Sequence, residues 1–223
     1  MRLDNKVIFA PLVTYDKYYE RFRERVFTLL FIGYTHTRNK NLNLVAAEEN
    51  DITACIVEGI AVYRNDPNSP PWVDNYSVHF QRPHSPQGAT GKRRRKLDVF
   101  FEGNRREQNN TLCFEAKRLY PAQTPGGYFG IQGMQRFLSE VYPTNSEKEA
   151  VMLGYVQFHN IPHWLQWLKT HFNDYRSDLH VPANSDWEEF PMISQLPHSF
   201  RTQHIPYPDK HTVLFHVLLS FVP

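Results

Sequence analysis

The chain has 223 residues, of which 41% are hydrophobic and 14% aromatic, and its 25 Lys and Arg against 23 Asp and Glu leave a net charge of +2. That composition excludes a disordered protein. The near-balance of charge excludes a generally polybasic one, so any nucleic-acid-binding surface has to be local.

The length suits one domain with a full-sized core. No long uncharged apolar run is present and the N-terminus lacks the pattern of a secretion signal, which predicts a cytoplasmic protein with no membrane association. Cys55 and Cys113 fall in apolar periodic segments and read as buried free thiols.

Residues 6–13 form a short apolar lead-in broken by Pro11. Tyr15, Tyr18, Tyr19, Phe22, Val26, Leu29 and Leu30 then recur at helical spacing, predicting an amphipathic helix over about 15–32. A polar connector with Thr35, Thr37, Asn39, Asn41 and Asn43 leads to a second helix, Leu44–Tyr63, with Ile52, Cys55, Ile56, Gly59, Ile60 and Tyr63 on one stripe. Glu48 and Glu49 lie near its start, where acids commonly complement the helix dipole. Residues 64–75 read as a Pro-rich loop, Tyr76–Gln81 as a strand and Pro83–Gly91 as a further loop.

The stretch from Lys92 to Tyr120 carries the densest chemistry. It opens on the basic run Lys92, Arg93, Arg94, Arg95 and Lys96, which suits a solvated face, a targeting tag or a contact to backbone phosphates. Two strand-like runs follow, Lys96–Phe101 and Thr111–Lys117. Alternation puts Leu97, Val99 and Phe101 on one face of the first and Asp98 with Phe100 on the other. In the second, Leu112, Phe114 and Ala116 oppose Cys113, Glu115 and Lys117. Paired as neighbours, the runs bring Asp98, Glu115 and Lys117 together at a sheet edge. Two carboxylates there can hold a divalent cation through hard oxygen ligands, and the lysine can steady or deprotonate a water beside it. An ordinary hairpin with exposed charges is the competing reading.

Beyond a Pro- and Gly-rich loop at 118–127, a helix over Tyr128–Tyr142 is predicted with Ile131, Met134, Leu138 and Val141 inward and Gln132, Gln135 and Arg136 on its polar flank. Ala150–Val156 reads as a central strand buried on both faces, and Ile161–Tyr175 as an aromatic-rich helix. His159 and His163 have the spacing of a zinc pair but no Cys or Glu partner nearby. Residues 182–210 read as irregular, and Thr212–Val222 as a closing strand.

An aspartate followed by Glu-x-Lys on the next strand, here Asp98 and Glu115-Ala116-Lys117, resembles the PD-(D/E)XK nuclease superfamily, with Leu97 where proline often precedes the aspartate. The resemblance implies an α/β fold: a restriction-endonuclease-like core with a central mixed β-sheet flanked by helices. It implies one nuclease-like domain over 1–223 with a catalytic core over about 44–156. Asp98, Glu115 and the Ala116 carbonyl would bind Mg²⁺, with Mn²⁺ as a substitute, and Lys117 would act on the attacking water. An acid from the preceding helix, Glu49 with Glu48 as the alternative, would bind the metal or its water shell, and Gln135 would approach the site unless it simply faces solvent. Lys92–Lys96, Arg118 and Arg136 would meet nucleic acid, with Arg105 and Arg106 adding to that surface. The implied activity is a magnesium-dependent endonuclease acting on DNA ahead of RNA in restriction or antiviral defence, as a homodimer or within a larger defence complex. The alternative is a catalytically inactive nuclease-fold subunit that binds nucleic acid or a partner protein. The segment 198–204 also resembles a Ser-x-x-Arg/His element of some nuclease-like proteins.

Overall fold

The computed structural model describes residues 17–40, 43–84, 95–103, 110–139, 141–145, 148–208 and 210–222. The lead-in at 6–13, most of the basic run (92–94), and Arg105 and Arg106 lie outside them. Among the described residues, five α-helices, α1 (Lys17–Asn39), α2 (Glu49–Arg64), α3 (Pro125–Phe129), α4 (Gln135–Leu138) and α5 (Ile161–Asp174), and a 3-10 turn at Pro71–Asn75 accompany seven strands. These are β1 (Tyr76–His84), β2 (Arg95–Gly103), β3 (Thr111–Leu119), β4 (Glu149–Val156), β5 (Glu188–Glu189), β6 (Ser199–Tyr207) and β7 (Lys210–Ser220). They form one mixed sheet in the order β1-β2-β3-β4-β7-β6-β5. The centre, β3-β4-β7, is parallel, and the pairs outside it are antiparallel. Among the described residues no helix is long and apolar enough to cross a membrane.

The continuous apolar run of β4 is buried at every position, as a strand covered on both faces requires. Its residues feed two cores. Val151, Leu153 and Tyr155 pack with Phe22, Val26 and Leu30 of α1 and with Ile52 and Ile56 of α2. Ala150, Met152 and Val156 pack with Phe129, Trp164, Leu168 and Phe172 beneath α3 and α5.

Several boundaries differ from the sequence expectation. The first helix runs on through Thr35 and Thr37 to Asn39, and within it the buried Thr37 satisfies its hydroxyl by donating to the Gly33 carbonyl at 2.8 Å. Gly33 lets the two helices touch, since a Cβ there would stand 2.4 Å from the Ile56 carbonyl oxygen. The second helix begins at Glu49, not Leu44. The single helix expected over Tyr128–Tyr142 is two short ones, α3 and α4, and Ile131 is 75% exposed between them. The backbone folds back tightly at this break: the Met134 N–H donates to the Tyr128 carbonyl, and a Cβ on Gly133 would collide with that oxygen. The segment 182–210 contains β6, whose inward residues include Thr202 and His204. Polar residues in the core hide its alternation. Leu97 does not share a face with Val99 and Phe101 but packs with Phe100 and Cys113, because the alternation of β2 breaks at Asp98.

Candidate functional site

β2 and β3 pair antiparallel from Glu102↔Thr111 to Val99↔Phe114, and there the pairing stops. Asp98 is the next residue of β2. The ladder to β1 also skips this position, passing from Phe80↔Val99 to Arg82↔Leu97 around Gln81, whose φ is 49°. Instead of a backbone bond, Asp98 Oδ2 accepts the Ala116 N–H at 2.7 Å. β3 meanwhile continues alongside β4 to Leu119↔Val156. The acids therefore sit where two interior strands part, not on a sheet edge as expected from alternation.

Glu115 is 1% exposed, and its Oε1 accepts from Lys117 Nζ at 2.7 Å and Arg136 at 2.5 Å. Its other oxygen, Oε2, is buried with no hydrogen-bond partner. Burial first, and the neighbouring Asp98 charge second, push the Glu115 carboxyl up to about 8, against the opposing pull of Lys117 and Arg136. Asp98 is raised too, by burial, with the Ala116 N–H and Lys117 pulling the other way.

Lys117 Nζ also donates to the Ala116 carbonyl at 2.7 Å and reaches Glu49 Oε1 at 3.4 Å. Burial works against its charge, yet Glu115 and Glu49 together hold its pKa above the ordinary lysine value. Glu49 opens α2 and is itself raised, chiefly by burial. Asp98, Glu115, Lys117 and Glu49 thus converge. Glu48 does not join them: it occupies the extended N-cap position and its exposed carboxylate pairs with Arg118 at 2.7 Å.

The remaining candidates are placed differently. Arg136 turns inward, bonding Glu115 and the Tyr142 hydroxyl, the latter at 2.8 Å, so its head is engaged with the acids and not offered to phosphates. Gln135 lines a separate cleft with Ile131, Leu138 and Tyr207, while Gln132 lines the one beside Lys117 and Glu49. Arg95 starts β2 opposite His84, and Lys96 is exposed, its Nζ 3.2 Å from Gln81 Oε1. The His159 and His163 rings lie 4.0 Å apart on the surface, with no third ligand in a cluster among the described residues.

Gln157 is the site residue that pattern reading missed. Fully buried, it accepts from Arg118 Nε at 2.7 Å and donates to the Leu44 and Ala47 carbonyls at 2.6 and 2.8 Å. It thereby ties the end of β4 to the segment that delivers Glu48 and Glu49. A glutamine just after a buried strand carries no sequence signal for this.

Among the described residues no group of three or more His, Cys, Asp or Glu could hold a metal ion. The available oxygen donors are the two carboxylates of Asp98 and Glu115, including the partnerless Glu115 Oε2, and the Ala116 carbonyl. Magnesium binds through one or two carboxylates and keeps several waters, so this set fits it. Lys117 now occupies the Ala116 carbonyl and Glu115 Oε1, so filling those donors would shift its ammonium. No protein family, curated protein or solved structure matches the chain.

Proposed function

We propose that the chain is a metal-dependent nuclease of restriction-endonuclease-like fold that hydrolyses phosphodiester bonds, in DNA ahead of RNA. The observation that carries this reading is the convergence of Asp98, Glu115 and Lys117 at the opening between β2 and β3.

Asp98 and Glu115 would hold Mg²⁺ or Mn²⁺, with help from the Ala116 carbonyl. A bound divalent ion supplies Lewis-acid stabilisation and a more acidic water. Lys117, whose raised pKa keeps it protonated, orients the attacking water as a donor and offsets charge developing on the phosphoryl oxygens. Glu49, 3.4 Å from that ammonium, is the carboxylate able to take the proton of the water. Arg136 and Gln157 position these groups from behind.

A second reading, an inactive nuclease-fold subunit that binds nucleic acid, is favoured by the pairing of Glu115 Oε1 with two cations. The test is cleavage of plasmid, linear DNA and RNA by the wild type with Mg²⁺, Mn²⁺ or chelator. Cutting that chelator abolishes is expected. A protein that binds but cuts nothing with either metal supports the second reading instead.

A further inference from the structure

We infer that the cleft beside Lys117 and Glu49 is a subsite for one unpaired nucleobase, which makes single-stranded nucleic acid the preferred substrate. This rests on the nuclease reading above. The cleft measures about 370 Å³ and is lined by Asn50, Lys117, Arg118, Tyr120, Gln123 and Gln132 among others. That is near the small end of ligand sites, roughly 300–1,000 Å³, and gives room for a single nucleotide.

Its chemistry suits a base better than a phosphate. The two cations are already engaged, Lys117 with Glu115 and Glu49 and Arg118 with Glu48, so neither is free to meet a phosphate in the cleft. What remains are three carboxamides, each pairing a donor with an acceptor as the edge of a nucleobase does. One of them is unsatisfied: Gln123 Nε2 is buried with no hydrogen-bond partner. A buried orphan donor is costly until something accepts from it. The half-buried Tyr120 supplies a stacking surface, held in place by the Arg118 guanidinium 4.5 Å from its ring centre. Because Lys117 and Glu49 border both the cleft and the acids, a base seated here brings its adjoining phosphodiester to Asp98 and Glu115. A base still paired in a duplex cannot enter without being turned out, at a cost in unpairing.

The test is fluorescence anisotropy in chelator, with a labelled single strand of about 12 nucleotides and the duplex of the same sequence. The wild type is expected to bind the single strand about tenfold tighter. Tyr120→Ala and Gln123→Ala should each weaken single-strand binding about tenfold, the scale of one lost stacking or base contact, and leave duplex binding unchanged. Gln132→Ala, at an exposed position where folding is not at risk, should weaken it in the same direction. Equal affinity for strand and duplex, or variants that bind the strand like the wild type, would overturn the subsite. If the wild type nevertheless cleaves, the nuclease reading survives that result. A wild type that neither binds nor cuts either nucleic acid overturns both.

Discussion

Asp98 and Ala116 are joined by one hydrogen bond, the Ala116 N–H donating to Asp98 Oδ2 at 2.7 Å. A side chain here takes the place of a ladder bond between two strands that have begun to separate. The bond turns the carboxylate toward β3, beside Glu115, and keeps both acids in one buried opening where neither is fully solvated.

Substitutions at Asp98 and Lys117 should fail in different ways. Asp98→Asn keeps an oxygen for the Ala116 N–H and removes a buried charge, so the fold should hold while metal-dependent cleavage is lost. Lys117→Ala leaves Arg136 on Glu115, so divalent-ion and nucleic-acid binding should persist. Its rate should nevertheless fall by about 10²–10³-fold, the scale of one lost hydrogen-bond donor to the transition state. Melting curves with and without Mg²⁺, beside single-turnover cleavage, check both. An Asp98→Asn protein that cuts at the wild-type rate would remove Asp98 from the mechanism.

The raised pKa of Glu115 makes metal binding depend on pH. Its folded value of about 8 lies above the ordinary 4.5, so its contribution to stability is fully present below about 4.5 and is lost as pH rises through about 8. A cation bound at the same carboxylate has to expel that proton. Stabilisation by Mg²⁺ should therefore be larger at pH 9 than at pH 6, and Glu115→Gln should abolish it at both. Thermal shift at the two values measures this, and equal shifts in the wild type would count against Glu115 as a ligand.

A second buried system should govern behaviour in acid. His204 Nδ1 lies 2.8 Å from the Leu179 carbonyl and must carry its proton there. Its Nε2 then accepts from Thr202, whose oxygen accepts from His216 Nε2, leaving His216 Nδ1 to accept from the Tyr128 hydroxyl. Burial lowers His204 from 6.5 to about 4 and puts His216 well below its usual value. Both contribute stability above pH 6.5 that is lost as pH falls toward 4, on the order of 3 kcal/mol for His204 alone. Neither imidazole resonance should titrate between pH 7.5 and 5.5 in NMR. A shift of either ring in that window would contradict the arrangement.

Gly33 links the helical layer to the site. A methyl group there would meet the Ile56 carbonyl oxygen at 2.4 Å, with Ile56 and Ile60 side-chain carbons at 2.9 Å. Gly33→Ala must push α2 away from α1 and carry Glu49 from Lys117. It should cost about 1–3 kcal/mol of stability and lower the cleavage rate at temperatures where the protein remains folded. A chemical denaturation series with matched kinetics tests this; full activity in a destabilised protein would show that Glu49 is not needed where it stands.

Local chemistry alone determined the buried central strand, the amphipathic helices α1, α2 and α5 and the grouping of Asp98, Glu115 and Lys117, because periodicity and neighbour pairing are properties of a few adjacent residues. A continuous apolar run as short as 150–156 favours a strand covered on both faces over a buried helix, which needs more residues. The rest depended on tertiary contacts. Whether Glu48 or Glu49 meets Lys117 was decided by where α2 starts, and Gln157, more than 100 residues away in sequence, braces the segment that delivers it. Arg136, legible only as a surface cation, is held inward by its hydrogen bonds to the buried Glu115 carboxyl and the Tyr142 hydroxyl. Leu97 changes face because the Asp98 side chain bonds across the gap and breaks the alternation. In each case the deciding partner lies on another element, and no pattern within a single segment can report its position.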